Sequence, residues 1–190
     1  NAEREGGGTA EREHAGGAAT SAFGRDRQMT VVDLDMPALV PDIYIESDAE
    51  RLDVYRRLAA ISAEGEVTAM RDELRDRFGE YPEEVENLLG VVSLRLAASR
   101  IGMTRGEVEH EQLTLALPPQ DATWFYEEVG GNKARFQALM EYVTTMRQPR
   151  LQLRQEGKSL FLRAPLRDGD GPGERISAVR GLLTRLAEAS

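Results

Sequence analysis

The apolar pattern changes character three times along the chain. Residues 1–28 are rich in Gly, Ala, Glu and Arg, with glycine runs at 6–8 and 16–17, and carry no sustained apolar period. That texture predicts a flexible interdomain linker or tail, with at most a short helix between Glu11 and Ala22. A domain over 29–190 is expected to follow. Thr30-Val31-Val32-Asp33-Leu34 reads as a short strand. Pro37 and Pro41 forbid a regular helix or central strand over the next residues. Ile43-Tyr44-Ile45 then reads as extended.

Three helices are predicted next. Ser47 or Asp48 caps the first, and Leu52, Tyr55, Leu58, Ala59 and Ile61 mark its inward face. Gly65 is read as the break before a second helix over 66–78. Its apolar stripe, Val67, Met70, Leu74 and Phe78, steps at helical spacing, and Gly79 stops it. Pro82 opens a third helix that runs to about Ile101, with Glu83 and Glu84 near its positive end. Apolar residues cover much of this helix's circumference, so it is expected to be central and covered on more than one side.

From Met103 the period falls to two. Glu107–Glu109 and Leu113–Leu117 read as strands around a turn at His110-Glu111-Gln112. A helical region over about 121–146, broken at Gly130-Gly131, comes next. Arg150–Arg154 and Leu160–Arg163 form a second hairpin around Glu156-Gly157-Lys158. A final helix runs from Glu174 to Ala189 with Ile176, Val179, Leu182, Leu183 and Leu186 inward. Hairpin–helix thus occurs twice, a repeat of layout without shared residues. The fold class is α+β: a helical N-terminal half of three helices, packed with antiparallel β-hairpins and further helices.

Charge sharpens this division. Residues 31–100 hold 8 arginines and 16 acidic residues, almost the whole net charge of −9, whereas 101–190 are balanced. An acidic segment repels a phosphate backbone, which disfavours direct nucleic-acid binding there and invites a basic protein surface instead. Cysteine is absent, which removes disulfides and thiolate chemistry and suits a reducing cytoplasm. No apolar run is long enough for a membrane helix. The polar start NAEREGGG holds no signal segment, and with no initiator Met the expectation is a piece of a longer chain.

Catalytic signatures are missing. GxxxxGK[ST], GxSxG, HExxH and GxGxxG do not occur. Asp168-Gly169-Asp170-Gly171 lacks the spacing and the bidentate Glu of a calcium loop, so turn chemistry accounts for it. His110 sits among glutamates in a predicted turn, with no nucleophile or second base at a related spacing. Trp124-Phe125-Tyr126 reads as helix packing rather than a base-stacking platform, because Glu127 and Glu128 adjoin it. The expectation is no catalytic residue, no cofactor and no metal.

One surface stands out. With Val67, Met70, Leu74 and Phe78 inward, a turn of roughly 100° per residue sends Asp76 almost opposite, Asp72 close to it and Glu73 to one flank. The bland account is a solvated face supported by the Glu73–Arg77 pair. The functional account is a docking surface for an arginine-bearing partner.

Three ordered motifs over about 33–102 carry a resemblance. Leu34-Asp35-Met36-Pro37-Ala38-Leu39-Val40-Pro41-Asp42-Ile43-Tyr44-Ile45 resembles an LxMPxLLPDxFI motif. Arg51-Leu52 with Tyr55-Arg56-Arg57-Leu58-Ala59 is similar to RLxxYKRIA. Glu73-Leu74-Arg75-Asp76-Arg77-Phe78-Gly79 with Pro82 and Leu88-Leu89 resembles ELxDRFGxxP…LL. Together they are similar to the C-terminal domain of the bacterial transcription-repair coupling factor (Mfd) family. Residues 103–190 fit it in layout only.

The resemblance implies a regulatory domain of an ATP-driven DNA translocase that removes stalled RNA polymerase and recruits UvrA. In that family the domain packs on a UvrB-like module of the same protein and masks its UvrA-binding surface. Carried over by motif, Glu73 and Asp76 are the expected contacts, and Asp72 joins them from its position on the helix. The partners implied are the UvrB-like module directly, and UvrA and RNA polymerase indirectly. An alternative is an accessory domain that touches DNA or the polymerase through the basic 147–190 segment, led by Arg150, Arg154 and Arg163.

Overall fold

A computed structural model describes residues 30–126, 133–145, 151–167 and 169–189. The expectations for 1–28, for the Gly130-Gly131 break and for Arg150 lie outside these residues. Among the described residues lie five strands and six helices: β1 (Val31–Leu34), α1 (Asp48–Ala60), α2 (Glu64–Phe78), α3 (Glu83–Arg100), β2 (Arg105–Glu109), β3 (Gln112–Ala116), α4 (Thr123–Tyr126), α5 (Lys133–Thr145), β4 (Gln152–Glu156), β5 (Ser159–Pro165) and α6 (Pro172–Ala189). The fold is α+β, as expected.

The two hairpins merge into one sheet, ordered β1-β2-β3-β5-β4. Both hairpins and the β3–β5 seam are antiparallel. The short first strand adds a parallel edge on β2, so the sheet is mixed. The three helices supply the crossover that a parallel pair requires. Register stacks the inward residues in rows. Leu34, Val108, Leu113 and Ala164 share one row, and Val32, Gly106, Leu115 and Leu162 the next. Leu153 extends the second row onto β4, where it is 42% exposed at the open edge.

Two apolar cores meet on α3. One joins the sheet to α4, α5, α6 and the C-terminal part of α3 through Leu94, Ala98 and Ile101. The other joins α1, α2 and the Val40–Ile45 segment to Val85, Leu89, Val92 and Leu96. Those two sets lie on opposite stripes of one helix, which is why its sequence is apolar nearly all round. Gly90 lets α6 approach: a Cβ there would stand 2.7 Å from the Ile176 side chain. At Gly102 the backbone has φ +78°, and a Cβ would meet the Phe125 ring at 2.5 Å. Phe125 is fully buried and stacks edge-on with Tyr126 and Phe136, so this aromatic cluster is packing. All five inward residues expected of α6 are buried.

Some local readings need correction. Residues 42–44 form a turn rather than a strand, with the N–H groups of Tyr44 and Ile45 both donating to Pro41 O. Tyr44 is drawn inward because its hydroxyl donates to Leu74 O and Gly79 O at the end of α2. That tertiary bond overrides the β preference of the triplet. On α1, Leu58 and Ile61 are buried and Tyr55 packs against them as expected, but Val54 takes the inward place and Leu52 is 57% exposed. Gly65 does not break the chain. The Glu66 carboxylate accepts from the N–H groups of Ser62 and Ala63, which starts α2 at Glu64 and takes Gly65 into its first turn.

Candidate docking face on the second helix

Helix α2 lies against α1 and α3 through Val67, Met70 and Leu74, with Phe78 partly buried at its end. That packing fixes its outward face. Asp72 and Asp76 are exposed, as their spacing predicts, and neither forms an ion pair among the described residues. They stand as an i,i+4 like-charge pair on the surface, which costs the helix a few tenths of a kcal/mol. The other basic residues of α2 are engaged elsewhere: Arg71 with Glu86, Arg75 with Glu80 and the Tyr81 ring.

Glu73 differs from its two neighbours. Its carboxylate accepts both guanidinium nitrogens of Arg57 from α1, a bidentate pair, with Arg57 Nη1 at 2.6 Å from Oε1. Arg77, one turn on, donates to Oε1 at 3.1 Å. Arg77 also pairs with Glu50 and lies 4.8 Å over the Phe78 ring. The result is a chain, Arg57–Glu73–Arg77–Glu50, that crosses from α1 to α2 and back. Hydrogen bonds from Arg57 first, then Arg77, hold the Glu73 carboxyl down at about 2 against partial desolvation. The same pairing raises Arg57. The Glu73–Arg77 pair read from sequence is present, while the inter-helix partner was not foreseen, since nothing in a linear spacing brings Arg57 to Glu73.

Between α1 and α2, next to this chain, lies an open depression of about 300 Å³ lined by Ala60, Ile61, Ala69 and Met70 beside Arg57 and Glu73. Ala69 sits one turn before both Asp72 and Glu73. A small apolar floor therefore adjoins the Glu73 carboxylate, neutralised by its arginines, and that of Glu66, which caps the start of α2. Such a face suits a cationic side chain with an aliphatic stem. Among the described residues no cluster of His, Asp and Glu is arranged to hold a metal ion, and no helix is long and apolar enough to cross a membrane.

Several polar residues that hold this lobe escaped the pattern reading. Arg95, in the middle of α3, donates to the carbonyls of Leu58, Ala59 and Ile61 at the end of α1. Burial without a carboxylate partner lowers its pKa. Asn87 donates to Pro37 O, and Ser93 to Glu64. The signal was available: a polar residue inside an otherwise apolar helix must find a partner. The basic residues of the sheet are dispersed. Arg154 and Arg163 share the outer face, where Arg163 pairs with Glu156 and Arg105 with Glu107. His110 lies in the β2–β3 turn at φ 45° and is exposed.

Comparison with known proteins agrees with the motifs. The TRCF domain matches residues 34–127. The transcription-repair-coupling factor of Mycobacterium tuberculosis is 48% identical over 73 residues, 38% of this chain and 6% of that protein. Its counterpart in Bacillus subtilis is 27% identical over 161 residues, 84% of this chain and 13% of that protein. The Escherichia coli protein is 39% identical over 80 residues, 42% of this chain and 7% of that protein. The chain thus spans only a small part of the length of these relatives. Among solved structures, a C-terminal domain of transcription-repair coupling factor superposes with a TM-score of 0.62 at 19% identity, covering 85% of this chain and 95% of that one. The fold is shared through the sheet half as well, where the motifs are silent. By its motifs, its matched domain and its relatives, the chain holds a TRCF-family domain of a transcription-repair coupling factor, in a fold shared with a C-terminal domain of that factor.

Proposed function

We propose that this chain is a non-catalytic regulatory domain, an autoinhibitory clamp, within a transcription-repair coupling DNA translocase. In this reading the outward face of α2 docks on a UvrB-like module of the same protein and masks the surface that binds UvrA. RNA polymerase is then an indirect partner, reached through the rest of the protein, and the setting is the cytoplasm. The observation that carries the reading is the exposure of Asp72 and Asp76, unpaired, beside Glu73 on the most acidic part of the chain. Unpaired surface carboxylates steer and orient a basic partner while adding little to the stability of their own domain. The alternative, nucleic-acid or polymerase contact through the basic 147–190 segment, finds less support. Acids share the outer sheet face with Arg154 and Arg163.

The test is charge reversal in the full-length protein. Asp72→Arg with Asp76→Arg is the cleaner pair, because neither side chain bonds among the described residues, whereas reversing Glu73 also releases Arg57 and Arg77. Each lost charge-assisted contact removes about 1–3 kcal/mol, and reversal adds repulsion. A closed state favoured by only a few kcal/mol is then largely opened, and UvrA affinity rises. Circular dichroism of the same variant should show an intact fold. Unchanged UvrA binding at low salt, with folding intact, returns this face to ordinary solvated surface.

A further inference from the structure

Two arginines reach Glu73, and they are held very differently. Arg77 has three attachments: Glu73, Glu50 and the face of Phe78. Among the described residues, Arg57 hydrogen-bonds to Glu73 alone. Both partners of the Arg57–Glu73 pair are partly open to solvent, at 40% and 34% of their side-chain surface. The helices they join already bury Val54, Leu58, Val67, Met70 and Leu74 against one another and α3, so the pair is not what packs them. Among the described residues Arg57 is thus a cation with one hydrogen-bonding partner, on the rim of the depression that Glu66 and Glu73 also line.

We propose that Arg57 is an internal competitor for the docking face: its guanidinium occupies the carboxylate of Glu73 that a partner's cation would take, and so limits how tightly the face is held. The inference rests on the clamp reading and adds a regulatory element to it. With Arg57 and Arg77 both on Glu73, and Glu50 on Arg77, the four groups sum to zero charge, while Asp72 and Asp76, in no ion pair among the described residues, offer negative charge outward. A partner cation that reaches Glu73 must first break a bidentate pair, the strongest geometry a carboxylate can make with one side chain. Since Arg57 has a single attachment, it swings away when displaced, and Arg77 stays. The domain therefore has a weaker grip with Arg57 in place than without it. Main-chain geometry need not change, only the partner of one carboxylate.

Arg57→Met keeps the long unbranched stem and removes the guanidinium, and Arg57→Lys keeps the charge but loses the bidentate fork. In the full-length protein, with UvrA affinity as the readout of opening, Arg57→Met should tighten the clamp and weaken UvrA binding by about 2–5-fold, the range of one half-exposed ion pair. Arg57→Lys should fall between it and the parent. A purely structural role predicts the opposite sign, because a loosened α1–α2 contact would open the clamp. Unchanged or stronger UvrA binding by folded Arg57→Met overturns the proposal. Should Arg57→Met not fold, Arg57→Lys decides on the same sign. The companion variant Asp72→Arg/Asp76→Arg separates the two levels. If it opens the clamp while Arg57→Met fails to tighten it, only the competitor role is lost. If it too leaves UvrA binding unchanged, the docking reading falls and the competitor falls with it.

Discussion

One stripe of α3, through Val85, Leu89, Val92 and Leu96, packs against α1 and α2; the opposite stripe, through Leu94 and Ala98, packs against the sheet and α6. The two sides are built differently. The sheet side gathers a large aliphatic and aromatic core, with Phe125, Leu113, Leu115, Leu139 and Leu162 among its fully buried members. Its polar ties are mainly the strand ladder. The helical side has a smaller core and many side-chain bonds to backbone. Tyr55 accepts from Val40 N–H, Tyr44 donates to the end of α2, Asn87 to Pro37 O, and Arg95 to the end of α1. Ion pairs bridge its helices, and its surface carries the acidic face. One side is held by burial, which is insensitive to charge; the other is held partly by polar contacts, which charge and pH can reach. The candidate docking face lies on the second kind, where a partner can compete for contacts without cost to the main core.

The hardest test of that contrast is the aromatic plug of the sheet side. Phe125→Ala removes a fully buried ring that stacks on Tyr126 and Phe136 and lies against Gly102. A loss of about 3–5 kcal/mol is expected. Urea denaturation followed by circular dichroism reads the helices, and fluorescence of the single tryptophan, Trp124 on α4, gives a second probe. Because α3 belongs to both cores, the two probes should shift together in a single transition. Two separate transitions would mean that the halves fold independently and that α3 does not couple them.

Arg95→Ala tests the helical side. Three carbonyls at the end of α1 lose their donor, at an expected cost of about 1–3 kcal/mol. Arg95→Lys should recover only part, since a point cation cannot span three acceptors as a fork does. Stability unchanged in Arg95→Ala would show that solvent satisfies these carbonyls, and that the polar ties of this lobe are ornamental.

How much of this was legible follows the same divide. Burial on the sheet side is a matter of period, and period is visible in a linear sequence. The α6 stripe, the two hairpins and the all-round apolar character of α3 were read correctly for that reason. The mixed sheet was not, because the parallel pairing of β1 depends on where the chain returns after three helices. On the helical side, the stripe of α2 gave the outward direction of Asp72 and Asp76. On α1 the inward places of Leu58 and Ile61 were legible, whereas Leu52 was taken in place of Val54, since both are apolar and the choice between them is made by α2 and α3 rather than by α1. The partner of Glu73 was hidden for a related reason: Arg57 is sixteen residues away, and only the antiparallel packing of two helices brings them together.

The smallest expected effect is acid sensitivity confined to the helical side. Glu73 has an ordinary carboxyl value of 4.5 in the unfolded chain and about 2 in the folded one, with the Arg57 hydrogen bonds as the leading cause and those from Arg77 behind. A depressed folded value stabilises the native state wherever the group is ionised in both states, above roughly pH 4.5. As pH falls from there toward 2, the unfolded chain takes up the proton first, and the contribution is lost progressively; below about 2 it is gone. Glu66 acts in the same direction, through the Ser62 and Ala63 N–H groups it accepts from. The side chain of Glu73 is 34% exposed, so solvent screening limits its share to about 0.2–1 kcal/mol. Comparing parent and Glu73→Gln isolates that share from the general acid response of the many other carboxylates. The stability difference between them, measured by urea titration at pH 6 and again near pH 2.5, should shrink toward zero as the pH falls. A difference that stays constant over this range would mean that Glu73 is not ionised against Arg57 in solution, and that the chain from α1 to α2 holds the lobe by shape rather than by charge.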